Sequence, residues 1–169
     1  DYAEKEDVLV IAAAGNGDPN GIGVNIDRIP FFPASYENEN IVTVAALSQD
    51  RDLTKYSNYG ISSVDIAAIG GDDSAQLVSA YMDIPAGDDL MVEMSGTSMA
   101  APLVSGVAAL IWSLNPDLHV SQIREMVLQS GQEVEVLKSA VSSGREINAL
   151  TAVEVATGKS LASHPIPLR

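Results

Sequence analysis

The stretch 93-EMSGTSMAAPLVSGVAALIWSLNP-116 places a Gly-Thr-Ser at the mouth of an apolar helical pattern. Val104, Val107, Ala108 and Ile111 recur at i, i+3, i+4 and i+7, which is one face of a helix. Most other positions in the run are small or apolar, so the pattern predicts a helix buried nearly all round. Asn115-Pro116 ends it, because the residue before a proline is pushed out of the helical region. A serine in a first turn sits beside unpaired backbone N–H groups and the positive end of the helix dipole. Those groups stabilise the negative oxygen that forms when the Ser98 hydroxyl attacks a carbonyl. Gly96 lets another chain approach the backbone closely, and Met99, Ala100 and Ala101 bring no competing polar group. Pro102 removes the helical bond to the Ser98 carbonyl, which makes this first turn unusual. The plainer reading is that Thr97 or Ser98 merely caps a buried helix.

Upstream, Val8–Ala14 is a continuous apolar run that ends in Gly15-Asn16-Gly17, and Ile41–Leu47 reads the same way. Runs without polar alternation suit strands buried on both faces, as in a parallel sheet. Val64–Ile69 is a weaker third strand. Residues 15–40 form a Gly/Asn/Pro-rich loop, and residues 70–90 read as a long surface connection holding one short hairpin. Two further helices follow the first. One spans Ser121–Ser130, with Ser121 as N-cap, Ile123, Met126 and Val127 inward, and Gly131 closing it. The other starts at the cap Asn148, turns Leu150 and Val153 inward and stops at Gly158. The organisation is one domain over 1–158 and a loosely held tail over 159–169. Strands followed by helices, with buried runs, predict an α/β layer fold.

The 169 residues suffice for a real core, and 46% of them are apolar. The formal net charge is −14, which excludes the basic face that nucleic acid or an anionic membrane requires of a partner. The chain has no cysteine, hence neither a disulfide nor a thiolate metal site. It contains no run of the roughly 18 apolar residues that signal a membrane span. It opens without Met on Asp-Tyr-Ala-Glu, which implies a processed chain or a piece of something longer.

The string Gly96-Thr-Ser-Met-Ala-Ala-Pro102, followed by Val104-Ser-Gly-Val-Ala-Ala-Leu110, resembles the nucleophile motif of the subtilases, the subtilisin-like serine proteases. Ala12-Ala-Ala-Gly-Asn16 resembles the segment that supplies that family's oxyanion-hole asparagine. Phe32-Pro-Ala-Ser-Tyr36, Ile41–Leu47, Tyr56-Ser-Asn-Tyr-Gly60 and Gly144-Arg-Glu-Ile-Asn148 match in the same order, so the resemblance covers about residues 8–157. It implies the C-terminal half of a subtilisin-like three-layer α/β fold, with a mainly parallel sheet flanked by helices. Carried over, Ser98 is the nucleophile and Asn16 a side-chain oxyanion donor, with the Ser98 N–H as the second donor. Ala13, Ala14 and Gly15 pair with substrate and line the pocket for the residue before the scissile bond, and Thr97 joins them in substrate binding. Phe31-Phe32 stands where small residues often floor that pocket, so a Phe ring there makes it shallow. Asp65-Ile-Ala-Ala-Ile-Gly replaces the usual Asp-x-x-Ala-Pro-Gly, and residues 70–93 are longer and more acidic than in the simplest members.

In that family an Asp and a His precede the Ser, each in its own motif, and neither motif is present here. His119 lies 21 residues past Ser98, beyond a helix of about 24 Å, and reads as a surface residue; His164 is in the tail. Gly-x-Ser-x-Gly, which an α/β-hydrolase needs, fails at Ala100. A glycine-rich nucleotide loop at Gly15-x-Gly17 wants a helix after it, and Pro30 and Pro33 argue against one. The resemblance therefore implies an endopeptidase whose Asp and His lie in an N-terminal portion of the same protease. That portion is the expected partner, with peptide or protein as substrate, self-association where the partner is absent, and secretion as the family's usual location. The chain alone is expected to be inactive. The competing reading is a non-catalytic subtilase-like domain that binds protein. No cofactor is required. Ca²⁺ enters only as an optional structural ion, at Asp65 with carbonyls near Ala34 and Tyr36 or at the acidic pairs Asp72-Asp73 and Asp88-Asp89 with Asp83.

Overall fold

The structure, a computed structural model, describes residues 2–83 and 88–159. After a short helix α1 (Tyr2–Lys5) come β1 (Val10–Ala13), β2 (Ile41–Leu47) and β3 (Ile66–Ile69). These three run parallel and in chain order, with Val10 beside Ile41 and Val44 beside Ile66. A hairpin of β4 (Leu77–Asp83) and β5 (Asp88–Met94) leads into α2 (Thr97–Leu114). Helix α3 (Val120–Gln129), β6 (Gln132–Glu133), a 3-10 turn over Glu135–Ser139, β7 (Arg145–Glu146) and α4 (Ala149–Thr157) complete the chain. The main sheet has the order β1-β2-β3-β7-β6, parallel except for the β6–β7 pair.

Alternate residues of the central strands feed two cores, as a period of two requires. Val42, Val44, Ala46, Ile66 and Ala68 pack against Val104, Ile111, Ile123, Val127 and Ala152, which puts α2, α3 and α4 on one face. Ala45, Leu47 and Ala67 turn to the other face, covered by Ile26, Ala34 and Val64 from loops and by Leu137, Ala140 and Val141. Every residue of β2 is buried, as its unbroken apolar run demands. Only Ala12 of β1 is fully buried, because β1 lies at the edge of the sheet.

Four details differ from the sequence reading. The hairpin is long, with two seven-residue strands, and Asp83, Asp88 and Asp89 lie in it. Helix α2 is not buried all round: Leu103, Leu110 and Leu114 are 42%, 39% and 43% exposed along one side, since only one flank of it meets the sheet. Helix α3 starts at Val120 with His119, not Ser121, as its N-cap. The His119 Nδ1 accepts the Ser121 N–H at 3.3 Å while Gln122 Oε1 accepts the His119 N–H at 2.9 Å, a reciprocal cap that an imidazole makes in place of a hydroxyl. In α4 the buried residue is Ala152, and Leu150 stays 49% exposed, because the close approach to α2 selects a small side chain. Asn148 caps α4 through Thr151 N–H at 3.1 Å, and Gly158 ends it in the left-handed region at φ 65°. His164 and the tail from residue 160 onward lie outside the described residues.

Candidate active site

Ser98 is the second residue of α2 and is exposed. The helix has no side-chain N-cap of its own: Gly96 stands there, at φ 152°. Its first N–H, that of Thr97, is met from across the fold by Asn16 Oδ1 at 2.9 Å. The Thr97 hydroxyl donates to the same oxygen at 2.8 Å and accepts the Gly15 N–H at 3.2 Å. Thr97 is 1% exposed, so these bonds are shielded from water. With Asn16 Oδ1 accepting twice, the Asn16 Nδ2 protons have no partner among the described residues, and neither has the Ser98 N–H. Both donors lie at the N-terminal end of α2, the positive end of the helix dipole. The fold thus brings Gly15 and Asn16 to Thr97 and Ser98, with Gly15 and Thr97 bonded across 82 positions of chain. Ala14, fully buried, ends the strand beside them through its N–H to Val44 O at 2.9 Å, and Ala13 pairs with Val44 in the ladder.

Gly96 and Gly15 are fixed by their surroundings. A Cβ at Gly96 would come 3.2 Å from Asn16 Nδ2. At Gly15, φ +98°, a Cβ would meet Asn58 Nδ2 at 2.6 Å and the edge of the Phe31 ring at 2.8 Å. The Phe31 ring therefore lies close against Gly15, while the Phe32 ring packs near Tyr36, centroids 4.7 Å apart. Ser98 also borders a cleft of about 320 Å³ between α2 and the hairpin, lined by Leu77, Tyr81, Val92, Met94, Met99 and Leu103.

His119 does not belong to this site. It sits past the far end of the 18-residue helix, 3.0 Å from Asp7, and caps α3. Asp65 lines a separate polar pocket of about 250 Å³ with Ser35, Tyr36, Thr43 and Arg124. Its carboxylate takes the Arg124 guanidinium at 2.6 Å and the Thr43 N–H at 2.8 Å. Burial pushes the Asp65 carboxyl above its ordinary pKa, against the pull of both partners. The Ala34 carbonyl there accepts the Thr43 hydroxyl at 2.9 Å. Asp72 folds its carboxylate onto Ser74 and the Ala75 N–H, which holds its pKa below the usual range. Among the described residues no three carboxylate or imidazole side chains converge on one point.

A mainly parallel sheet carries helices α2, α3 and α4 on one face, with Ser98 near the N-terminus of α2 and the Asn16 amide docked at that same end, an α/β arrangement. The family model of the subtilases matches residues 1–147. The chain belongs to the subtilase family. It is 36% identical over 152 residues to the thermophilic serine proteinase of Bacillus sp. strain AK1, which covers 90% of this chain and 32% of that protein. It is 32% identical over 153 residues to thermitase of Thermoactinomyces vulgaris, covering 90% of this chain and 47% of thermitase. In a structure of the subtilase cytotoxin SubAB the likeness extends over 93% of this chain and 52% of that one, with a TM-score of 0.74 and 27% identity. The chain thus spans less than half the length of these two curated relatives.

Proposed function

We propose that this chain is the nucleophile-bearing part of a serine endopeptidase. Ser98 Oγ attacks the scissile carbonyl carbon, and the oxygen of that carbonyl, now negative, is received by Asn16 Nδ2 and the Ser98 N–H. The hydroxyl proton passes to a histidine oriented by an aspartate, both supplied by the N-terminal portion of the same protease; the histidine returns it to the leaving amine. Ala13, Ala14, Gly15 and Thr97 border the acyl side of the substrate. The observation that supports this reading is the double anchoring of Asn16 Oδ1 by Thr97, the residue before Ser98, which commits the oxygen and leaves the Asn16 amide protons unpaired among the described residues at the start of α2. The substrate is a peptide or protein, the location extracellular, and Ca²⁺ an optional structural ion rather than a reactant.

The test is turnover of a peptide amide by the full-length protein. Ser98→Ala abolishes it. Asn16→Ala lowers kcat by roughly 100- to 1000-fold with little change in KM, the scale the general account of oxyanion holes takes from subtilisin itself. The isolated 169-residue chain shows no hydrolysis; turnover by it that disappears in Ser98→Ala would refute the assignment of the base to another segment.

A further inference from the structure

Asn58 is 2% exposed and lies in the segment between β2 and β3, yet all its side-chain bonds go to the chain around Asn16. Its Nδ2 donates to the Ala14 carbonyl at 2.8 Å. Its Oδ1 accepts the Gly17 N–H at 3.1 Å and the Val24 N–H at 2.9 Å. Its own N–H donates to the Gly15 carbonyl at 2.9 Å. One residue thereby holds positions 14, 15 and 17, on both sides of Asn16 and without touching the Asn16 side chain. The contact with Gly15 is tight enough that no Cβ fits between them. Beyond Ala13 the strand has ended, and residues 14–24 belong to no helix or strand. Their path is set by such individual bonds.

We propose that Asn58 is a positioning residue of the oxyanion hole: its carboxamide fixes the course of residues 14–17 and thereby places Asn16 Nδ2 against the Ser98 N–H. The proposal rests on the reading of Ser98 and Asn16 given above. An oxyanion donor works only near hydrogen-bond distance of the developing charge, and a displacement of about 1 Å costs on the order of 100-fold. A buried asparagine of purely structural use would change the folded fraction, not the turnover of each folded molecule.

The experiment is a double-mutant cycle in the full-length protein, with kcat and KM for a peptide amide expressed per folded molecule. Asn58→Ala is expected to lower kcat by roughly 10- to 100-fold with KM within about threefold. The double variant with Asn16→Ala should be no slower than Asn16→Ala alone, because Asn58 acts through Asn16. Asn58→Asp keeps the acceptor for Gly17 and Val24 and should retain more turnover than Asn58→Ala. If Asn58→Ala does not fold, Asn58→Asp and Asn58→Ser carry the same cycle. Losses that multiply in the double variant, an unchanged kcat, or an effect confined to KM would overturn the role of Asn58 while Ser98→Ala and Asn16→Ala still act as described. Turnover untouched by Ser98→Ala would overturn the reading of the site and this proposal with it.

Discussion

The Thr97 hydroxyl donates to Asn16 Oδ1 at 2.8 Å and accepts from the Gly15 N–H at 3.2 Å, so it ties the asparagine amide to the residue before it in the chain. Thr97→Val keeps the shape and the backbone bond to Asn16 but removes both bonds of the hydroxyl. If about 1 kcal/mol of the orienting hydrogen-bond energy is lost from the transition state, kcat should fall roughly fivefold at near-constant KM. Thr97→Ser should restore most of it. Equal turnover in Thr97→Val and the parent would show that the Thr97 backbone N–H alone orients the amide.

The Phe31 ring edge fills the space against Gly15. In the proposed enzyme it narrows the pocket for the residue before the scissile bond. Small side chains there should be preferred. Phe31→Gly is expected to raise the kcat/KM ratio of an aromatic over an alanyl substrate by at least about tenfold, since pocket contacts of this size discriminate by roughly 1–3 kcal/mol. Paired peptide substrates that differ only at that residue measure it, and an unchanged ratio would place Phe31 outside the pocket.

Leu103, Leu110 and Leu114 line one exposed side of α2, and among the described residues β1 has no strand beyond it at its edge of the sheet. Fully burying a large apolar side chain is worth roughly 1.5–3 kcal/mol, and these three, about 40% exposed, each forgo less than half of that. The isolated chain should therefore self-associate at micromolar concentration, and Leu110→Lys should reduce this in light scattering. In the full-length protein the same substitution should instead lower Tm. A monomeric isolated chain with cooperative unfolding would show that this side of α2 tolerates water.

Asp18 closes the loop after Asn16: its Oδ1 accepts the Asn20 and Ile22 N–H groups at 2.8 and 3.1 Å. The Ile22 and Asn20 backbone N–H groups hold its pKa below the ordinary carboxylate value. Its contribution is thus present above that value and fades as pH falls through the lowered one. Amide exchange at Asn20 and Ile22 should quicken in that acid window in the parent. Asp18→Asn should flatten the pH dependence; a profile that survives the substitution assigns it elsewhere.

Much of this protein is legible in one dimension. The continuous apolar run of β2 identifies a strand covered on both faces, whereas the same kind of run in β1 belongs to an edge strand of the same parallel sheet that is only partly buried. The 3.6-residue period from Val104 to Ile111 gives α2, and Asn148 and Gly158 bracket α4 by cap chemistry that is local to a few residues. Short strings single out Ser98 and Asn16 as candidate site residues. The exposed side of α2, the edge position of β1 and the cap His119 were not readable, since each depends on which surfaces meet in space rather than on the period. Tertiary structure alone decided that Thr97 grips Asn16 from 81 positions away and that Asn58 brackets its neighbours. A hydrogen bond between remote segments leaves no periodic trace in sequence: its energy is local, but the proximity that permits it is set by the packing of the whole sheet.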